Sequence, residues 1–359
     1  MVMFSRKHLS PSATSPDTAT ALRPSAPALL AAVVRAADVV HAVRTRVATS
    51  AGALTTVVGY TGYGSTGWVR VLARVVLTRT TNASPQGTVR GWQSFTSVPV
   101  RNSELQVNIG DAVHTVHADG GGLVDVVLDC ALEPGWHTIT LRTPESIVTE
   151  ARIYMVDPNA RLGLVSDIDD TVMVTALPRP LLALWNTLVL SERARTPTPG
   201  MAVLYDRILA RHPGTPILYL STGAWNVAPA LTRFLARNMY PEGALLLTDW
   251  GPAKQHWFRS GRDHKRNNLE RLAREFPTMQ WLLVGDDGQH DPEIYAAFAR
   301  SHGAQTAAVA IRELSPGEAL LAGGRAVEDV PASQHGEVTW VSAPDGAGLA
   351  QQLQLHEFL

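Results

Sequence analysis

No stretch of this chain limits its fold more than Leu162 to Thr175, which reads L-G-L-V-S-D-I-D-D-T-V-M-V-T. The apolar run Leu162 to Val165 has the character of a strand buried on both faces of a parallel sheet. Three carboxylates follow within four positions, Asp167, Asp169 and Asp170, and then Thr171. Packing gives no reason to crowd acids onto the end of a buried strand. Like charges this close raise one another's pKa and destabilise the site unless a cation or a proton is shared among them. A divalent cation is the simplest compensation. Oxygen-only donors favour Mg²⁺, which keeps several waters and takes few carboxylates. The competing reading is an acidic turn in which Asp170 or Thr171 caps a helix, so the remaining sequence must decide.

From residue 160 to 359 apolar runs alternate with helical stretches. The runs are Leu162 to Val165, Ile217 to Leu220, Ala244 to Leu247, Trp281 to Val284 and Ala307 to Ile311. Between them lie Leu181 to Leu190, Met201 to Arg211, Ala228 to Asn238, Asn267 to Phe276 and Pro292 to His302. This order predicts an α/β fold, a parallel sheet with helices on both faces and functional groups just beyond the carboxyl ends of the strands. A last strand, Val338 to Val341, and a helix from Gly346 complete it.

The N-terminal half has a different texture. Residues 1–26 are rich in Ser, Pro, Thr and Ala and read as a disordered arm without the apolar run of a secretory signal. Residues 27–50 read as an amphipathic helix, with Val33, Val40 and Val47 on its apolar stripe. Such a helix is expected to pack on the body of the protein, and its flanking arginines make a membrane surface the alternative. Residues 55–157 read as short alternating strands divided by turn signals such as Gly110-Asp111 and Glu133-Pro134-Gly135, which predicts an antiparallel β-sandwich of about 100 residues. No acid, His or Cys cluster marks a catalytic site within it, so a supporting or recruiting role is expected. The Gly- and aromatic-rich Tyr60 to Trp68 reads as a structural turn.

At 359 residues the chain can hold two such domains, and its net charge of -1 argues against bulk electrostatic binding to nucleic acid. Cys130 is the sole cysteine, so an intrachain disulfide is excluded, which suits a cytoplasmic protein. No uncharged stretch approaches the roughly 20 residues of a spanning helix. Lysine occurs only at Lys7, Lys254 and Lys265. In a chain that otherwise uses arginine, a retained lysine is a candidate for a role that needs a compact ammonium.

The predicted strand ends collect a consistent set of groups. Beyond the first lie Asp167, Asp169 and Thr171. Beyond the second lie Ser221 and Thr222, hydroxyls beside the backbone amides of a helix start, a ready site for phosphate oxygens. Beyond Trp281 to Val284 come Gly285, Asp286, Asp287 and then Asp291. Lys265 sits just ahead of the predicted helix at Asn267. Carboxylates, hydroxyls and one ammonium suit phosphoryl transfer. A carboxylate attacks phosphorus, cations offset the phosphate charge, and a second acid handles the leaving group and the water.

The ordered set D-I-D-D-T-V at 167–172, Y-L-S-T-G-A-W-N at 219–226, H-K-R-N-N-L-E-R-L at 264–272 and G-D-D-G-Q-H-D-P-E-I-Y at 285–295 resembles the phosphatidate phosphatase branch of the haloacid dehalogenase superfamily. The resemblance implies a Rossmannoid α/β catalytic domain preceded by a β-sandwich. It also implies Asp167 as nucleophile and Asp169 as general acid/base, the latter lending a backbone carbonyl to Mg²⁺. Lys265 would pair with the nucleophile and the phosphate, Ser221 and Thr222 would face phosphate oxygens, and Thr171 would support the loop. Asp286 would hold the metal, with Asp291 as a further partner. The implied substrate is a lipid phosphate, met at a membrane surface by a cytoplasmic or peripheral protein with no transmembrane segment. S-T-G-A-W-N departs from the expected S-x-S-P-W by lacking the second hydroxyl and the proline, and Asp287 stands where a small residue is usual. Both departures bear on substrate choice. The alternatives are a phosphatase for a soluble or protein-borne phosphomonoester, and an inactive binding protein.

Overall fold

The computed structural model describes residues 26–78, 97–174, 196–248, 257–288, 290–321 and 337–359. The N-terminal arm through residue 25, Lys254 and the helix expected at Leu181 to Leu190 lie outside these described residues.

Helix α1 (Ala26–Ser50) leads into a sheet of eight strands: β1 (Leu54–Ser65), β2 (Gly67–Thr78), β3 (Val98–Pro99), β4 (Glu104–Ile109), β5 (Ala112–His117), β6 (Leu123–Cys130), β7 (Gly135–Arg142) and β8 (Thr149–Met155). Their order is β3-β2-β1-β8-β7-β4-β5, with β6 also paired to β2. All pairs are antiparallel except β1 with β8. The expected two-sheet antiparallel sandwich is therefore one mixed, curled sheet. The cause is strand length. β1 and β2 run 12 residues each, and their register slips between Tyr60 and Tyr63. Such an irregularity bends long strands, letting one ladder curve where two sheets would otherwise stack. The alternating residues Val69, Val71, Ala73 and Val75 line the inside of the curl with Leu105, Val107, Ile139 and Ile153.

The opposite faces of β1 and β2 meet the α/β part. Tyr60 stacks on Trp225 with ring centroids 4.6 Å apart, and its hydroxyl donates to the Trp225 carbonyl. Tyr63 packs on Phe276. Its hydroxyl donates to Glu275 Oε2 at 2.8 Å, while Arg70 Nη2 reaches Glu275 Oε1 at 2.5 Å and Nη1 pairs with Asp125. The Tyr60–Trp68 stretch is thus a strand and its hairpin turn, with aromatics buttressing the neighbouring sheet.

That second sheet holds β9 (Leu162–Asp167), β12 (Ile217–Ala224), β13 (Ala244–Thr248), β14 (Gln280–Asp286), β15 (Thr306–Arg312) and β16 (Thr339–Ala343). A small ribbon, β10 (Met173–Val174) with β11 (Thr196–Pro197), lies beside it. Every pair in the large sheet is parallel, in the order β13-β12-β9-β14-β15-β16. Alternate residues of these strands enter two separate cores. Leu164, Tyr219, Leu282 and Val284 pack with α2 (Met201–Arg211), α3 (Ala228–Arg237) and α7 (Gly346–Leu355). Val165, Leu218, Leu220 and Leu283 pack with α4 (Trp257–Glu275) and α5 (Asp291–Ser301). Helices therefore cover both faces, which is why the central strands read as unbroken apolar runs. Gly163 is required by its neighbour: a Cβ there would lie 2.3 Å from the ring of Trp281, which is fully buried. A short α6 (Pro316–Leu321) follows β15.

Two expectations change. Helix α4 begins at Trp257, ten residues before the expected Asn267, so Lys265 lies within a helix. The R-S-G-R-D-H-K-R stretch is polar enough to hide helical periodicity from the sequence. In helix α1, Val39, Val40, Val43 and Val47 are exposed rather than turned to the body. Among its described side chains His41, Thr45 and Ala48 are half-buried, and Asp38 pairs with Arg101 at 2.6 Å.

Glu275 accepts from both Tyr63 and Arg70, so Glu275→Ala should strand two partly buried donors and cost about 2–4 kcal/mol. Urea unfolding measures this. A midpoint equal to the parent's would show that these bonds do not hold the two sheets together.

Candidate active site

The parallel sheet changes winding direction at β9. Chain connections pass first to β12 and β13 on one side, then cross to β14, β15 and β16 on the other. Open α/β sheets bind ligands in the crevice beyond the carboxyl ends of the strands flanking such a point. Here those strands are β9, which ends at Asp167, and β14, which ends at Asp286.

Three buried carboxylates meet there. Asp167, Asp286 and Asp291 offer oxygens that lie within 4.8 Å of one another. Helix α4 delivers Lys265 between two of them, with Nζ 2.6 Å from Asp167 Oδ1 and 2.5 Å from Asp291 Oδ1. Asp291 opens α5, and its Oδ2 accepts the Asp286 backbone N–H at 3.4 Å. Asp286 Oδ1 accepts Gly288 N–H at 2.8 Å. Gly285 makes this approach possible, since a Cβ at that position would stand 2.6 Å from Asp291 Oδ2.

The charges do not balance. Three buried carboxylates face one buried ammonium. Burial pushes the Asp167 carboxyl well above the usual range, Lys265 opposes the shift, and Asp291 and Asp169 add to it. Burial does the same to Asp286, with Asp291 and Asp167 adding and Lys265 opposing. Burial disfavours the Lys265 ammonium, but Asp167, Asp291 and Asp286 outweigh it and hold the amine above its ordinary value. Asp167 Oδ2 and Asp286 Oδ2 are buried without a hydrogen-bond partner among the described residues. Leaving such atoms unmet is costly, and hard oxygen donors with an excess of negative charge fit a divalent cation.

The loop after β9 is held tightly. Asp170 is buried and adopts φ 61, a left-handed conformation uncommon outside glycine. Its N–H donates to the Met173 carbonyl at 2.7 Å, and Val172 N–H donates to Ile168 at 3.0 Å. Arg312, at the end of β15, donates from Nη1 to the Asp170 carbonyl at 2.7 Å, from Nη2 to Glu318 and from Nε to the Pro344 carbonyl. An arginine closing an apolar strand was the only sequence sign of this brace. Thr171 is fully buried in the same loop.

Asp169 is half-exposed, and its charge acts on Asp167 although it is not one of the three carboxylates that meet within 4.8 Å. The Ser221 hydroxyl donates to Asp169 Oδ2 at 3.0 Å and accepts Gly223 N–H at 3.0 Å. Ser221 is thus already tied to the acid beside it. Thr222 is half-exposed, and its carbonyl accepts the Thr248 hydroxyl at 3.0 Å. Trp225 is buried against Tyr60 and serves packing. His264 sits within α4, 3.2 Å from the Leu246 carbonyl, and exposed His290 lies 3.8 Å from Glu293.

Residues 162–313 match the family described as phosphatidate phosphatase APP1, catalytic domain. The chain is 24% identical over 190 residues to phosphatidate phosphatase APP1 of Saccharomyces cerevisiae, an alignment covering 53% of this chain and 30% of that protein. It is 23% identical over 165 residues to an uncharacterized protein of Schizosaccharomyces pombe, covering 46% of this chain and 27% of the other. The chain thus spans less than a third of the length of these curated relatives. Among solved structures, an uncharacterized protein from Listeria monocytogenes serotype 4b aligns over 55% of this chain and 99% of its own, at 12% identity and a TM-score of 0.33. The chain therefore carries a segment like the APP1 phosphatidate phosphatase catalytic domain, and that segment contains Asp167, Asp169, Ser221, Lys265, Asp286 and Asp291.

Removing Lys265 leaves three buried carboxylates facing one another. In chelator, Lys265→Met should lower unfolding stability by about 3–5 kcal/mol, and an added divalent cation should recover part of that loss. Thermal unfolding with and without the cation checks this. An equal loss in both conditions would mean that no cation enters the triad.

Proposed function

We propose that this chain is a Mg²⁺-dependent phosphatase of the haloacid dehalogenase type, acting on phosphatidate or a closely related lipid phosphate monoester. The observation that carries the reading is the Lys265 ammonium bridging Asp167 and Asp291 beside Asp286, at the switch point of a doubly wound sheet. The likeness of residues 162–313 to a phosphatidate phosphatase catalytic domain supports the substrate class.

Asp167 is the nucleophile. Its carboxylate oxygen bonds to phosphorus as the bond from phosphorus to the diacylglycerol oxygen breaks, giving an aspartyl-phosphate. Asp169 gives a proton to the departing alkoxide. It then takes a proton from a water whose oxygen attacks phosphorus, releasing orthophosphate and restoring Asp167. Ser221 orients Asp169 through the bond to Oδ2. Lys265 favours the ionised form of Asp167 against its burial and offsets charge on the phosphoryl oxygens. Asp291, itself held by the Asp286 N–H, fixes that ammonium, while Arg312 braces the loop that carries Asp169 and Thr171 is buried within it. Asp167, Asp286 and the Asp169 carbonyl, with Asp291, would hold Mg²⁺, which when bound would supply positive charge against the phosphoryl oxygens. The phosphate would approach from the half-exposed members of the site, Asp169, Thr222 and Asp287.

Dispersed phosphatidate should yield orthophosphate and diacylglycerol with Mg²⁺ present and none after chelation. Asp167→Asn should cut that rate by more than about a thousandfold. Asp169→Asn should slow both half-reactions and leave a nucleophile that can still be phosphorylated, visible as trapped phosphoprotein. Good rates on water-soluble phosphomonoesters with none on lipid would replace the substrate assignment and keep the phosphatase. Undiminished turnover by Asp167→Asn would remove the mechanism.

A further inference from the structure

Helix α1 is built the wrong way round for a helix that serves only the fold. Between residues 35 and 50 its half-buried positions are His41, Thr45 and Ala48, the first two polar. Its large apolar residues point to solvent: Val39 is 63% exposed, Val40 58%, Val43 56% and Val47 61%. At helical spacing these four form one stripe opposite the packed face. β-Branched residues are not helix formers of choice, and four exposed together gain nothing from burial. Arg44 and Arg46 are exposed and fall on either side of the stripe, while the one acid of this segment, Asp38, is paired with Arg101 toward the body. An apolar stripe bordered by arginines, with its acid turned inward, is complementary to an anionic lipid surface.

The position of the helix points the same way. The Gly62–Tyr63 end of β1 lies beside Ile217, Leu218 and Gly243, where β12 and β13 begin. Its Val58 and Tyr60 lie beside Trp225 and Asn226, just past the end of β12. Moving along β1 toward Leu54 therefore leads to the carboxyl-end side of the parallel sheet, the side of Asp167 and Asp286. Leu54 pairs with Thr78, and Val98 with Leu77, at that same end. Helix α1 joins β1 there and packs on β2 and β3.

We infer that the Val39–Val40–Val43–Val47 face of α1, with Arg44 and Arg46 at its borders, docks the protein on an anionic bilayer on the same side as the carboxylate cup. This rests on the reading that the substrate is a lipid phosphate, and it adds the surface that holds the protein where such a substrate resides. The valines enter the headgroup boundary, and the arginines stay at its rim with their stems along the apolar stripe.

The test is co-sedimentation of the full chain with vesicles of phosphatidylcholine alone or mixed with phosphatidylserine, a lipid that carries no phosphomonoester. The parent should bind the mixed vesicles, more weakly as salt rises. Arg44→Gln with Arg46→Gln should weaken binding by roughly five-fold per arginine. Val43→Ser with Val47→Ser should weaken it at least as much, without changing turnover of a water-soluble phosphomonoester. Both arginines are exposed, so the arginine pair decides the matter should the valine pair unfold. A parent that ignores the vesicles, or variants that bind as the parent does, would overturn the inference. Self-association abolished by the valine changes, with no vesicle binding, would make the face a protein interface and overturn it too. Vesicle binding without phosphate release from phosphatidate would sink the lipid-phosphatase reading and leave the docking face standing. Phosphate release from dispersed lipid without vesicle binding would do the reverse.

Discussion

One buried ammonium organises the catalytic half of this protein. Lys265 lies between Asp167 and Asp291, 2.6 and 2.5 Å from their oxygens. A charge so placed is stable only where its surroundings return what burial removes. The surroundings here are drawn from distant parts of the chain: the end of β9, the start of α5 and the middle of α4. Moving any of them leaves a charge without its counterpart. The arrangement therefore fixes how α4 crosses the sheet, how near α5 starts to β14, and why residue 285 has no side chain.

The same site remains electrically unfinished. One ammonium cannot neutralise three carboxylates, and two of their oxygens have no hydrogen-bond partner among the described residues. A fold can tolerate this imbalance at a site whose work supplies the missing charge. Phosphoryl transfer brings a divalent cation together with an anionic substrate, so the excess of acids suits the proposed chemistry. The curled sheet contributes at a distance, through Tyr60 stacked under Trp225 at the end of β12 and through Glu275 tied to Tyr63 and Arg70.

The parallel sheet was legible in the sequence because strands buried on both faces leave unbroken apolar runs. Acids at the ends of two such runs mark the cup, and the separation of Asp167 from Asp286 in sequence is undone by the sheet order. What stayed hidden had physical reasons. Period-two alternation is identical in a stacked sandwich and a curled sheet, so the bend at Tyr60–Tyr63 could not be seen. Residues 259–266 of α4 carry no large apolar side chain, which concealed that Lys265 belongs to a helix. The brace from Arg312 to the Asp170 carbonyl joins residues 142 apart, and an arginine at a strand end does not name its partner. In α1 the apolar stripe was visible, but an amphipathic pattern does not say which face turns inward.

Calorimetric titration of Mg²⁺ into the metal-free chain tests the central claim most directly. Burial disfavours the ionised forms of Asp167 and Asp286, and a cation binding there favours them. The account predicts one saturable site in the parent and loss of that site in Asp286→Asn. Absence of saturable binding, or binding unchanged in Asp286→Asn, would contradict it.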